Sequence, residues 1–392
     1  MAGAAWSPDG QTIACPVGGF TGGYYRSIAA INVSDGSQKL LTSHKWNDVQ
    51  RLAWLPDGSG LVATAQEQGG DRFQLWQVSY PEGEARTLTN DLSDYQLVSL
   101  TADGRALVTV LSENTSNIWL VPSGEWSNGR QLTSTRTNGI LSIDLMGDGR
   151  IIYQSRAGGS SDLWIMDADG RNQKQLTDNA TFERFASATP DGRFIVFGST
   201  GVGTQLWRMD IDGSNATLLT TSPGFDPTIS PDGKWVVYTT FGARGFNIWK
   251  VSIDGGEPMQ VTQYYSQAPA ISPDGKLIAC YYVEERTRTT RIALVPFEGG
   301  EPTKVFDYLL QPFAASPYPV RWTPDGRALT YIVTRGGVSN IWIQPLDGSQ
   351  PRPLTDYKSD RIFSFDWSSD GKWLVLSRGP EQRDVVMMSD FK

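Results

Sequence analysis

The sequence predicts an all-β chain, a single β-propeller of nine repeat units with four-stranded antiparallel blades. Three observations predict it. An Asp-Gly turn recurs nine times, at Asp9, Asp57, Asp103, Asp148, Asp191, Asp232, Asp274, Asp325 and Asp370. The closest pair, Asp191 and Asp232, is 41 residues apart, and the widest, Asp274 and Asp325, is 51. The residues before these turns repeat as well, as in Ile229-Ser230-Pro231, Ile271-Ser272-Pro273 and Trp322-Thr323-Pro324. Each unit reads as four strands with no helical period, and units of this length bury their faces only against neighbours.

The stretch from Asp226 shows one unit in order. Asp226 to Ser230 leads as a first strand into the turn at Asp232-Gly233, where Asp bonds its own downstream backbone and Gly takes positive φ. Lys234-Trp235-Val236-Val237-Tyr238-Thr239 follows, β-branched and aromatic, as suits a strand covered on both faces. A loop is expected over 240–246, then a third strand at Asn247-Ile248-Trp249-Lys250-Val251. A second turn at Asp254-Gly255 leads to a short fourth strand, Met259-Gln260-Val261-Thr262. Elsewhere the third strand carries Leu75-Trp76, Ile118-Trp119, Leu163-Trp164, Leu206-Trp207 and Ile341-Trp342. The fourth ends in Leu-Thr, as at Leu88-Thr89, Leu132-Thr133, Leu176-Thr177 and Leu354-Thr355. The tryptophans are expected to fill the wedge between blades.

The units run over 4–48, 49–94, 95–139, 140–183, 184–224, 225–265, 266–315, 316–360 and 361–392, one domain throughout. Nine sets of first, second and third strands are legible but only eight fourth strands. The last blade is therefore expected to have three strands, with a seam against the first held by side-chain packing and a ring distorted towards eight-fold spacing. Cys15 and Cys280 fall at one repeat position in units 1 and 7. They are expected to be reduced and buried on second strands, too far apart to bridge.

Composition narrows the function. Among 392 residues the net charge is −8, and no basic stripe marks a nucleic-acid surface. No apolar run reaches the roughly 18 residues that span a bilayer. The opening Met1-Ala2-Gly3 runs into a repeat by Trp6, as expected of a piece of a longer protein. His44 is the single histidine, and no Gly-x-Ser-x-Gly elbow accompanies it. One histidine and two separated cysteines cannot supply a zinc cluster. The stretches from Asp167 and from Asp210 echo the start of a calcium loop but lack its closing bidentate Glu, and both fall on expected hairpins. No catalytic residue, metal or cofactor is expected.

The Ser-Pro-Asp-Gly turn, the Ile-Trp strand, the second Asp-Gly turn and the Leu-Thr ending together resemble the WD40-like PD40 repeat of TolB-type propellers, over residues 4–389. The closing stretch, from Tyr357-Lys358-Ser359-Asp360-Arg361 to Asp384-Val385-Val386-Met387-Met388, is similar to the C-termini of large, acidobacterial-type Ser/Thr kinases. That resemblance implies a bacterial, membrane-anchored parent with the propeller on its extracytoplasmic side. No kinase motif lies in this chain.

The turns at one end of the blades are uniform, whereas the loops at the other vary, and functional residues gather on variable loops held by a rigid frame. Those loops carry the candidate binding residues Trp46, Tyr95, Arg136, Arg156, Phe182, Arg184, Phe225, Arg244, Tyr265, Tyr308, Phe313, Arg335, Tyr357, Arg361 and Arg378. Aromatic and arginine side chains are enriched at interfaces. The competing reading is that each arginine pairs with a nearby Asp and fixes its own loop. The expected function is a non-catalytic sensor or scaffold that binds a protein, a peptide or a small anionic or glycan ligand, without nucleic acid and without inserting into a membrane. The alternatives are a propeller enzyme of glycosidase or lyase type with paired axial carboxylates, or the propeller half of a prolyl-oligopeptidase-like peptidase.

Overall fold

The computed structural model describes residues 3–19, 25–68, 70, 72–91, 93–134, 138–157, 161–178, 183–199, 204–242, 245–284, 286–287, 289–306, 320–389 and 391. Strands form every regular element among them.

The repeated turn closes on itself. In the sixth unit Ser230 Oγ donates to Asp232 Oδ1 at 2.5 Å, and Lys234 N–H donates to the same oxygen at 3.1 Å. Trp235 N–H donates to Ser230 Oγ at 2.9 Å, and Gly233 takes φ 73°. The serine hydroxyl and the Asp carboxylate thus satisfy one another and two amides of the turn locally, and the glycine supplies the positive φ. The serine hydroxyl, then the Lys234 amide, hold the Asp232 carboxyl below its usual range. Beyond the turn Val236, Val237, Tyr238 and Thr239 are all buried, as expected for a strand covered on both faces. That strand extends to Gly242 and the third begins at Gly245, so the loop is shorter than expected.

The chain divides into two compact units. One comprises Met1–Asn114 with Glu381–Lys392, the other Thr115–Ser199 with Thr204–Pro380. In the first, an eight-stranded sheet runs from Ala5–Trp6 to Ala85–Thr87 and holds the first two repeats. Its core packs Trp46, Trp54, Trp76 and Val49. A three-stranded sheet joins Asp94–Leu100, Ala106–Asn114 and Glu381–Ser389.

The second unit contains six four-stranded sheets. Five follow the expected repeats, with first strands Asn138–Leu145, Glu183–Ala188, Phe225–Ile229, Ser266–Ile271 and Arg321–Trp322. The sixth is composite. Arg361–Trp367 and Trp373–Gly379 come from the last repeat, and Asn117–Pro122 and Arg130–Gln131 come from the third. The first strands touch in succession, and Arg361–Trp367 touches both Asn138–Leu145 and the sheet of Val338–Pro345, which closes the ring.

Repeats 3 and 9 have thus exchanged their third strands. This corrects the expected seam. Closure is not by side-chain packing against a three-stranded last blade. Asn117–Pro122 pairs along its length with Trp373–Gly379, Ile118 opposite Ser377 and Val121 opposite Leu374. The physical reason is the backbone: a shared sheet satisfies a row of N–H and C=O groups that a side-chain seam would leave open. The two sets of three strands differ too little in local pattern for the sequence to announce the exchange.

Cys15 and Cys280 are free thiols on second strands, Thr12–Gly19 and Leu277–Val283. Cys280 is buried as expected, whereas Cys15 is only half-buried.

Candidate functional site

The ring of first strands brings charges together that repeat logic had treated as scaffold. The residue four places before each hairpin Asp is Asp144, Ser187, Thr228, Ala270, Arg321 and Asp366 around the second unit. Asp366 Oδ2 accepts the N–H of Leu145 at 3.0 Å, and Arg321 Nε lies 3.3 Å from Asp366 Oδ1. Asp144 Oδ2 accepts the N–H of Ala188 at 3.1 Å. One chain of polar contacts therefore links four consecutive first strands across the closing sheet.

Burial, then repulsion from Asp366, pushes the Asp144 carboxyl up to about 7. Burial raises Asp366 too, opposed by Arg321. Asp226 joins the group. Burial lifts it to about 6 against the attraction of Arg184 and Arg321. Desolvation brings Arg184 down to about 10, opposed by Asp226. The Tyr281 hydroxyl is raised by burial and feels both Arg321 and Asp226. The Arg321 and Asp366 side chains keep 31% and 21% exposure, so solvent reaches them.

A bulge aims Asp226. Phe185, Asp226 and Ala268 each lie six residues before a hairpin Asp and adopt left-handed φ of 56°, 50° and 53°. All three fall where the first strand slips register against the second. Such a conformation costs a non-glycine residue roughly 1 to 2 kcal/mol. Neighbouring sheets help hold it: Ala186 N–H donates to Ser142 Oγ at 2.7 Å, and Ala268 N–H to Thr239 Oγ1 at 3.0 Å.

Sequence reasoning missed Asp144, Asp226, Arg321 and Asp366. A signal existed for three of them. At the same repeat position the other units carry Ala5, Ala53, Ser99, Ser187, Thr228 and Ala270, all small and uncharged.

The loop candidates separate into several environments. Trp46 is not a surface residue: its ring is fully buried, edge-on to Trp76 at 5.5 Å and against His44 at 4.5 Å. Tyr95 is buried too, with its hydroxyl donating to Asp91 at 2.7 Å. Both corrections have one cause, since a large ring at the start of a first strand removes more apolar area from water by packing than by presenting itself. Arg184 donates to Thr204 Oγ1 at 2.9 Å and lies 5.8 Å from the Phe225 ring. Phe225 meets Phe241 and Phe246, and Phe246 meets Tyr265, so these aromatics hold one another. Arg156 and Arg361 are half-buried. Arg136, Phe182, Arg244, Tyr308 and Phe313 lie outside the described residues.

Arg335 is exposed, and Tyr357 and Arg378 are half-buried. The tight turn at Gly336 and Gly337, both at positive φ, places Arg335 over Trp342 at 4.9 Å. Asn340 fixes the loop opposite, accepting the N–H of Tyr357 at 2.7 Å and donating to its carbonyl at 3.1 Å. Between them lies a cleft of 340 Å³ lined by Arg335, Trp342, Asn340, Asp356, Tyr357 and Lys358, among others. Arg378 sits on the Tyr357 ring at 4.2 Å, but it is paired with Asp360 at 3.1 Å and donates to Ser359 O at 3.2 Å. Arg378 thus fixes its own loop. Among the described residues no carboxylate pairs with Arg335.

The calcium-like stretches are hairpin turns. Asp169 Oδ1 accepts the N–H of Arg171, and Asn172 bonds Asp167 and takes φ 53°.

Residues 146–318 match the family described as TolB beta propeller domain. No curated protein matches the chain. Among solved structures, TolB from Acinetobacter baumannii is 14% identical, with a TM-score of 0.46, over 98% of this chain and 86% of that one. A putative TolB from Agrobacterium tumefaciens is 17% identical, with a TM-score of 0.33, over 90% and 97%. An oligogalacturonate lyase from Vibrio parahaemolyticus is 13% identical, with a TM-score of 0.38, over 87% and 88%. Likenesses at these scores transfer no activity.

Proposed function

We propose that this chain is a ligand- or protein-binding propeller module, not an enzyme, and that it recognises an anionic group in the cleft beside Arg335. One observation carries the reading: the Arg335 guanidinium stands at an open cleft, stacked on Trp342 and paired with no described carboxylate, while Tyr357 and Lys358 complete the wall. A stacked guanidinium is oriented before the ligand arrives, which reduces the ordering cost of binding. Acidic peptides, uronate glycans and small anionic metabolites fit this chemistry.

The test compares Arg335→Ala with Lys276→Ala, an exposed hairpin residue, for melting and for capture on a panel of such anions. Arg335→Ala is expected to change stability by no more than about 0.5 kcal/mol and to lose binding, more visibly at low salt. Equal capture by the two variants removes the reading.

A propeller enzyme with an axial carboxylate site is the second reading. Asp144, which burial and then Asp366 push up to about 7, favours it, because a carboxyl poised near neutral pH suits general acid or base work. Hydrolysis or elimination on a glycan panel, abolished by Asp144→Asn, would establish it. The resemblance of the closing stretch further supports placing the chain in a membrane-anchored bacterial Ser/Thr kinase, outside the cytoplasm. Protease treatment of intact cells, with an antibody to the propeller, tests both points.

A further inference from the structure

We infer that the outer edge of strand Glu381–Ser389 is a docking site for an extended peptide, which adds a fourth strand and anchors through an apolar residue followed by threonine. This rests on a difference between sheets and is independent of the Arg335 cleft.

Among the described residues, six outer strands carry a two-residue clamp. In the sixth repeat the N–H of Val261 donates to Ile248 O at 2.9 Å, and Thr262 Oγ1 accepts the N–H of Ile248 at 2.9 Å. Both backbone groups of one third-strand residue are thereby satisfied. Thr89, Thr133, Thr177, Thr220 and Thr355 accept the corresponding N–H in their own sheets. The sheet of Asp94–Leu100, Ala106–Asn114 and Glu381–Ser389 has three strands and no such clamp among the described residues.

Register locates the vacant position. Ile341, clamped by Thr355, lies opposite Ile332, seven residues after Asp325. Val385 lies opposite Val110, seven residues after Asp103. Val385 therefore occupies the clamped position. It is 74% exposed and Met387 is 71% exposed. Gln382, Arg383 and Asp384 are exposed as well. A nine-residue edge with exposed apolar side chains is one that proteins ordinarily cover, and strand addition is a general mode of peptide recognition.

A second copy fits this edge less well. Two such strands pair antiparallel about a two-fold axis normal to the sheet. Centred on Asp384, the pairing opposes two carboxylates. Centred on Val385, it opposes Arg383 and Met387. Glu381–Ser389 contains no threonine, so neither register rebuilds the clamp.

The probe is a fluorescent peptide with the sequence Asn128-Gly129-Arg130-Gln131-Leu132-Thr133-Ser134, the outer strand that repeat 3 places in another sheet. It is titrated into the full 392-residue chain, with hydrogen exchange read in parallel. Saturable binding is expected, with amide exchange slowed around Val385. The Thr133→Val peptide should bind about fivefold more weakly, from the loss of one hydrogen bond. Val385→Pro should abolish binding while protection of Ala106–Asn114 persists, which shows the sheet intact. Arg335→Ala should bind the peptide unchanged, so this inference and the cleft reading fail separately. Equal binding of the Thr133→Val or a scrambled peptide overturns the inference. So does full binding by Val385→Pro, or dimerisation that protects Val385 without peptide.

Discussion

The N–H of Leu145 donates to Asp366 Oδ2 at 3.0 Å, and the two residues are 221 apart in sequence. Asp144, beside Leu145, repeats the contact one strand further on, to Ala188. The same carboxylates that join the ring are therefore the ones that burial raises, with Asp366 also repelling Asp144.

Their sign sets a pH dependence. A carboxyl whose folded pKa is raised binds protons that the unfolded chain releases at its ordinary value, 3.8. Its stabilising contribution is full below that value and is lost as pH rises through about 6 for Asp226 and about 7 for Asp144. The hairpin aspartates act oppositely. Asp370, held to about 2 first by Ser368, loses its contribution as pH falls below 3.8. The melting temperature is expected to be highest near pH 4, to decline between about pH 4 and 7, and to level off towards pH 8. Asp144→Asn keeps an oxygen for Ala188 N–H and removes the titration. It should melt higher than the parent at pH 8 and flatten the decline, as calorimetry across this range would show.

The strand exchange is testable by a cross-link. Pro122 and Trp373 are opposite one another on Asn117–Pro122 and Trp373–Gly379. Opposed residues in antiparallel strands lie about 4.5 to 5.5 Å apart between Cα atoms, within disulfide reach. The double variant Pro122→Cys, Trp373→Cys should oxidise readily and protect against thermal unfolding. Failure to form the bond in the native state, with other thiols excluded by Cys15→Ser, would mean that repeats 3 and 9 keep their own third strands.

What the sequence revealed follows the range of the interaction. The Ser-Pro-Asp-Gly turn was legible because all its bonds lie within six residues, as Ser230 to Trp235 shows. The covered second strand was legible from Val236, Val237 and Tyr238 alone. The exchange was not, because Ile118-Trp119 suits any second strand, and ring closure decides which one it meets. Arg335 and Tyr357 were legible as loop residues on the variable face, and the structure brings them to one cleft. Trp46 and Tyr95 were misplaced, because sequence marks the start of a strand less sharply than its middle. Asp144, Arg321 and Asp366 were hidden by their repeat position, since only comparison around the ring distinguishes them from Ser187 or Ala270.

The two thiols should differ in reactivity. Cys280 is completely buried, and burial alone pushes its thiol up to about 12. Cys15 is half-buried and also raised by burial. The thiolate is the reactive form, so an aromatic disulfide reagent at pH 8 should label Cys15 first and Cys280 only on unfolding. Equal labelling rates in the native protein would contradict the burial of Cys280.

Thr262 tests the clamp that six outer strands share. It is fully buried, accepts the N–H of Ile248 at 2.9 Å, and shares a bond of 2.6 Å with Ser266 Oγ. Thr262→Val preserves the shape of the side chain and removes its oxygen. Ile248 N–H is then buried without its hydroxyl partner, and Ser266 loses one as well. Stranding a buried donor costs about 1 to 3 kcal/mol, so the variant should melt lower by several degrees without a change of fold. Thr217→Val, on an exposed part of an outer strand, provides the comparison and should leave the melting temperature nearly unchanged. Should the two variants melt alike, the Leu-Thr ending would owe its recurrence to the leucine alone, and the threonine could not serve as the anchor of an added strand.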